Sequence, residues 1–205
     1  MIIPNTLRGK DFAAVDVEGN GQTPPEIIEI AILPASGETV VVDEMRSWLI
    51  RPARPITPIV TRKVHGITNA DVKDCPTWQD VSDVISTALN DRILVAHNAN
   101  VERRVLAEHL PEWTPPMVLD TLRLAKAVWP GLVGGYSLEK LVAHAELDDT
   151  AIADHGHHRA GWDTWAAWQL LVRLVEESKF SWDELVEAAA PAEYVPPREP
   201  EGRLW

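Results

Sequence analysis

Three apolar runs follow one another closely near the start of the chain. Phe12-Ala-Ala-Val-Asp-Val17, Glu26-Ile-Ile-Glu-Ile-Ala-Ile-Leu33 and Val40-Val-Val-Asp-Glu-Met-Arg-Ser-Trp-Leu-Ile50 are separated by Gly, Pro and Ser, which predicts three successive strands. After the proline-rich stretch from Pro52 to Pro58 the texture changes. Residues near 58–65 and 77–89 read as helices, the second opened by Pro76-Thr77 as a cap. Ile93-Leu-Val-Ala96 predicts a fourth, buried strand, and Val101, Val105, Leu106 and Leu110 recur at helical spacing over 100–110. Met117-Val-Leu-Asp120 reads as a fifth strand feeding a helix over about 121–129. Ser137-Leu-Glu-Lys140 reads as a capping box for a helix running toward His144, and a long helix from about Arg159 to Glu177 closes the core. Strands first, then strands alternating with helices, predict an α/β fold with a mixed five-stranded sheet flanked by helices on both faces.

Composition narrows the classes. A chain of 205 residues with 45% hydrophobic and 24% charged residues has the balance of one globular domain, expected over 1–180. Residues 181–205 are expected to add a C-terminal helix and a disordered Pro/Glu-rich tail after Ala190. No stretch approaches the roughly 20 apolar residues of a membrane span, and Met1 to Lys10 lacks the order of a signal peptide, so no membrane partner and a cytoplasmic location are the expectations. The single cysteine, Cys75, excludes an internal disulfide and a thiolate metal site, which leaves oxygen ligands for any metal. A net charge of −12 argues against coating long tracts of nucleic acid, but not against a pocket that holds one strand end. Carboxylates converging on divalent cations would invert the local sign.

Three segments carry candidate chemistry. Asp16 and Glu18, at i and i+2 on the first strand, leave the same face and can share a cation, and Gly19 and Gly21 let backbone approach a ligand closely. Ala96-His-Asn-Ala-Asn-Val-Glu102 follows a buried strand and opens a helix, the place where open α/β sheets hold ligands. There His97 and Asn98 are candidate substrate contacts, against a plainer reading of Asn98 as a helix cap with Glu102 as a first-turn charge. In Asp154-His-Gly-His-His-Arg-Ala-Gly-Trp-Asp163 a helix starting near Arg159 would hold Asp163 rigidly while His158 stays on the loop before it, a pairing that suits a metal ligand and a general base. Asp16, Glu18, Glu102 and Asp163 together are the set a two-cation phosphoryl-transfer site requires.

Asp-x-Glu, then His-Asn-Ala-x-x-acid, then His-x-Ala-x-x-Asp resembles the three signature motifs of the DnaQ-like, or DEDDh, 3′→5′ exonucleases, which have a ribonuclease-H-like fold. Arg54-Pro-Ile-Thr-Pro58, Val64-His-Gly-Ile-Thr68, Asp120-Thr-Leu-Arg-Leu-Ala125, Val128-Trp-Pro-Gly131, Tyr136-Ser-Leu138 and the His157-His158-Arg-Ala160 run look like the bacterial exonuclease X branch. The resemblance implies metal-binding roles for Asp16, Glu18, Glu102 and Asp163, a general base at His158, and a place for His65 near the terminal nucleotide. It implies two Mg2+ or Mn2+ ions, with Asp16 bridging them, and release of nucleoside 5′-monophosphates from the 3′ ends of DNA, or alternatively RNA. The family's second motif usually carries aspartate where this chain has Glu102, and the longer side chain is expected to weaken occupancy of the second cation. That departure also motivates a non-catalytic reading, a module that binds nucleic-acid ends.

The remaining features read more plainly. Trp162, Trp165 and Trp168 share one helix and are expected to be core, or the self-association surface of a homodimer. Arg103, Arg104, Lys126, Lys140 and Arg159 are candidates for a phosphate path, with ordinary solvated charge as the alternative. The acidic balance suggests an enzyme that releases its strand after few nucleotides.

Overall fold

The alternation along the first strand, β1 (Phe12–Gly19), sorts its side chains into two cores. Phe12 and Ala14 join one hydrophobic cluster and Ala13 and Val15 join another, so this strand is covered on both faces. The structure, a computed structural model, describes residues 1–148, 150 and 159–197. Around β1 lie β2 (Ile27–Ala35), β3 (Arg46–Leu49), β4 (Ile93–Ala96) and β5 (Val118–Asp120), in the order β3-β2-β1-β4-β5. β2 runs antiparallel to β1 and β3, while β4 is parallel to β1 and β5 to β4. This is the mixed five-stranded sheet the pattern predicts.

Helices cover both faces. After α1 (Pro58–Val60) and α2 (Asn69–Val72), the helices α3 (Trp78–Leu89) and α4 (Asn100–His109) place Ile85, Leu89, Val105 and Leu106 against the row containing Ala13 and Val15. On the Phe12 face, α5 (Thr121–Val128), α6 (Leu138–His144), α7 (Ala160–Ser178) and α8 (Trp182–Ala189) contribute Leu124, Leu141, Trp168 and Leu185. Trp168 is fully buried, its ring centroid 5.6 Å from that of Phe12. Trp162 and Trp165 are buried on the same helix, which makes all three core residues and withdraws them as a homodimer surface. Among the described residues no helix is long and apolar enough to cross a membrane.

Four local expectations change. The run 40–50 is broken by a 3-10 turn at Val42–Glu44, and only Arg46–Leu49 pairs with β2. The helix over 58–65 is α1 continued by a π turn, Thr61–His65, that ends on Gly66 at φ 75°. Ser137 makes no side-chain cap bond, and the reciprocal bond of a capping box is also missing because Lys140 carries a donor, its ammonium reaching the Gly134 carbonyl at 2.5 Å. The tail expected to be disordered after Ala190 forms a 3-10 turn at Ala192–Tyr194, where Glu193 meets Arg103 of α4 at 3.1 Å. Residues 198–205 lie outside the described residues, and α8 packs Leu185 and Ala189 into the main core.

Candidate active site

Asp16 and Glu18 continue the Phe12–Ala14 row of β1, so both side chains leave the sheet toward α7. Asp163 comes from the first turn of that helix, its amide donating to the Arg159 carbonyl at 3.1 Å. One carboxylate oxygen from each of Asp16, Glu18 and Asp163 can be chosen so that all lie within 4.8 Å of one another. Burial, then the Asp163 and Glu102 charges, hold the Asp16 carboxyl well above the usual carboxylate range. Burial first and Asp163 next push Glu18 up to about 8, against the opposing pull of Arg159. Like charges gathered in a partly buried place with oxygen donors alone are what a hard divalent cation fits.

Glu102 stands on the first turn of α4, 6% exposed, with its Oε2 buried and without a hydrogen-bond partner. Burial, followed by the charges of Asp120 and Asp163, pushes it up to about 8, while its own backbone N–H acts the other way. It lies outside the tight group of three acids, yet its charge is felt at both Asp16 and Glu18. An orphaned buried carboxylate oxygen beside that group fits a cation position as well.

The corner between β4 and α4 corrects two expectations. His97 Nε2 lies 2.9 Å from the Tyr136 carbonyl, which can only accept, so the ring carries a proton there; Nδ1 lies 2.9 Å from Thr121 Oγ1. With both ring nitrogens engaged inside the protein, His97 fastens the corner and leaves neither nitrogen for substrate. Asn98 does not cap α4, whose N-cap is Ala99. It adopts φ 68°, its side chain is exposed, and its backbone N–H donates to Asp120 Oδ1 at 3.0 Å.

Of the remaining candidates, Gly19 sits at the register shift that ends β1, and a methyl group there would make only ordinary contact with Pro25 at 3.5 Å. The glycine the fold demands is Gly21, at φ 74°, where a Cβ would fall 2.3 Å from Thr57 Oγ1. His65 is buried at the end of the π turn, its Nδ1 accepting from the Ile67 amide at 3.0 Å. Burial holds it below the ordinary imidazole value; the Gly19 backbone opposes this, although Nε2 has no hydrogen bond of good geometry. His158 lies outside the described residues.

Sequence reasoning missed Glu29 and misjudged Arg159. Glu29, 5% exposed on β2, accepts from the Arg159 guanidinium at 2.6 and 2.9 Å, which takes Arg159 out of a phosphate path. The signal for Glu29 is an acid interrupting an otherwise aliphatic run from Ile27 to Leu33. Of the other basic candidates, Arg103 pairs with Glu193 and Lys140 with a backbone carbonyl.

Comparisons with known proteins agree with this architecture. The family model described as Exonuclease, RNase T, matches residues 13–171. Exodeoxyribonuclease 10 of Escherichia coli K12 is 34% identical over 161 residues, covering 78% of this chain and 67% of that protein. DNA polymerase III PolC-type of Thermotoga maritima is 31% identical over 182 residues, 85% of this chain but 12% of the polymerase. Among solved structures, Exonuclease X in complex with 5′ overhanging duplex DNA superposes with a TM-score of 0.71 at 31% identity, covering 86% of this chain and 98% of that one. An exonuclease I structure, at 14% identity and a TM-score of 0.67 over 87% of this chain and 42% of that one, shares the fold. With the order of its acids along the sheet and a family match spanning most of its length, the chain belongs to the DnaQ-like exonuclease family.

Proposed function

We propose that this chain is a divalent-metal-dependent 3′→5′ exonuclease that hydrolyses the terminal phosphodiester of DNA and releases a nucleoside 5′-monophosphate. The observation that carries the reading is the convergence of Asp16, Glu18 and Asp163 to within 4.8 Å in a place where burial and neighbouring negative charge make Asp16 and Glu18 hard to ionise unaided. Those three, with the unpartnered oxygen of Glu102, would hold Mg2+ or Mn2+. When bound, such cations supply electrostatic stabilisation of the charge that develops on the phosphoryl and leaving oxygens.

The protein's own groups do the rest. His158 takes a proton from the attacking water, a contribution of roughly 10²–10⁴-fold when imidazole titrates near the working pH. Its covalent neighbour Arg159 is anchored to β2, which fixes where the chain carrying the base enters α7. His65, buried beside the Gly19 backbone at the edge of the acidic group, is suited to hold the terminal nucleotide. DNA is favoured over RNA because the most similar relatives reported above are an exodeoxyribonuclease and an exonuclease bound to duplex DNA.

The test is a time course on 5′-labelled single-stranded DNA and matched RNA with Mg2+, Mn2+ or EDTA, beside Asp163→Ala. Stepwise shortening from the 3′ end of DNA, lost with EDTA and with Asp163→Ala while the fold persists, is the expected outcome. Faster shortening of RNA would replace the substrate, and turnover that survives loss of Asp163 would remove this carboxylate from the mechanism.

A further inference from the structure

The half-buried ion pair between Glu29 and Arg159, beside the acidic group, does more than anchor the entry to α7. Glu29 lies directly opposite Glu18 in the antiparallel register of β1 and β2, so both side chains leave the same face of the sheet. Two neighbouring buried acids repel unless one is answered, and Glu29 is answered by Arg159. Arg159 Nε donates to Oε2 at 2.9 Å and to Oε1 at 3.2 Å, and a terminal nitrogen reaches Oε1 at 2.6 Å. The same Oε2 accepts the Ala160 amide at 3.1 Å.

That last bond ties the pair to Asp163. Arg159 is the N-cap residue of α7 and its own side chain makes no cap bond, so a 19-residue helix begins with an amide satisfied by an acid from a neighbouring strand. Asp163 stands one turn further on, and the adjacent Thr164 hydroxyl donates to the Ala31 carbonyl of the same strand at 3.3 Å. The first turn of α7 is therefore docked on β2 at two points, and Asp163 lies between them.

We propose that Glu29 and Arg159 form a positioning clamp that seats the first turn of α7 so that Asp163 completes the cation cradle with Asp16 and Glu18. The clamp rests on the reading of those three acids as a cation site. It needs the planar fork of arginine, because a lysine ammonium cannot bind both carboxylate oxygens while the second also caps the helix. A scaffold ion pair would add stability and leave the cradle's affinity for metal unchanged.

The experiment compares wild type with Glu29→Gln, Arg159→Met, their double variant and Arg159→Lys. It reads Mn2+ affinity by calorimetry without substrate, kcat and KM on a labelled strand, and the metal-free Tm. Mn2+ affinity and kcat are expected to fall together by about 10–100-fold in each single variant with KM unchanged, the size of effect seen when partners that orient metal ligands are removed. The double variant should be no worse than either single one, and Arg159→Lys, which keeps the charge and is the safeguard if Arg159→Met fails to fold, should still lose affinity. A lower Tm with Mn2+ affinity and kcat within about twofold of wild type would reduce the pair to a scaffold. A wild-type protein that binds no Mn2+ at all would instead overturn the cation-site reading on which the clamp stands.

Discussion

Asp120 and Glu102 are two buried carboxylates that the same end of the sheet treats in opposite ways. Asp120, 3% exposed at the end of β5, accepts backbone N–H groups from Asn98 at 3.0 Å, Leu122 at 2.9 Å and Arg123 at 3.4 Å. It caps α5 and ties the β4–α4 corner to β5, so every bond it makes is internal. Glu102, 6% exposed on the helix that this corner begins, leaves Oε2 with no donor at all. Asp16 and Glu18 share with it the loss of solvation beside like charge. An unsatisfied buried polar group costs about 1–3 kcal/mol and a charged one more, so a fold that keeps the Glu102 oxygen beside like charges is holding it for something outside itself. The contrast separates acids that serve the chain from acids that serve a ligand, and residue type alone does not.

Substituting Asp16 should show that separation most strongly. Asp16→Asn removes the acid on which burial and four neighbouring carboxylates bear, so the metal-free protein should melt higher than wild type. The gain follows whichever way wild type bears the strain, as repulsion between ionised groups or as uptake of a proton that the unfolded chain would have released. Activity should fall by roughly 10³-fold or more, since a cation contributes several kcal/mol to the transition state and its shell would be broken. Nuclease assay and metal-free thermal melting check the two halves. A variant that is both inactive and less stable would place Asp16 with the acids that serve the chain.

What the sequence disclosed follows the same division. Asp16 and Glu18 were legible because an i, i+2 pair ending an apolar strand must share a face, and Asp163 because it falls in the first turn of a strongly apolar helix. Those are local inferences. Glu29 was not legible, because its meaning depends on the register that sets it opposite Glu18 and on an arginine 130 positions away. His97 was misread for the same reason: its partners are 24 and 39 positions distant, so a polar residue after a strand passed for a ligand contact when it is a fastening. The end of the chain was judged on composition, which cannot register that Glu193 reaches Arg103 and that Tyr194 packs beside the cluster holding Trp113. Periodicity reports which face a residue occupies and is silent on what lies across from it.

Asp120→Ala tests the other member of the pair. It should leave three backbone amides without their acceptor and remove the cap of α5, a loss of about 2–3 kcal/mol from one missing cap and newly unsatisfied buried donors. Denaturant unfolding should show the midpoint falling with the slope unchanged. Because the same oxygen holds the Asn98 amide, activity should fall less than stability, through the seating of α4 and not through loss of a metal ligand. Stability equal to wild type would mean that water replaces the carboxylate and that the distinction from Glu102 is weaker than the bond geometry implies.

The last effect concerns pH. In the metal-free protein Glu18 and Glu102 are pushed up to about 8 from an ordinary value of 4.5, so across that interval the folded state holds protons that the unfolded state has released. Stability must then fall as pH rises from about 4.5 to about 8 and level off above it, opposite in sign to a carboxylate stabilised by internal donors. Asp80 behaves in that opposite way: its hydrogen bond from the Thr77 hydroxyl lowers it, and its contribution is lost only in acid, as pH falls through the folded value. A divalent cation competes with protons for the acidic group, so Mg2+ should raise Tm more at pH 8 than at pH 5.5 and flatten the profile. Asp16→Asn should flatten it without metal, because it withdraws one member of the interacting set, whereas Asp120→Ala should shift the whole profile downward through the lost internal bonds. A metal-free Tm that stays level or rises between pH 5.5 and 8 would show that these acids are ionised at no cost, and the contrast with Asp120 would then have to rest on hydrogen bonds alone.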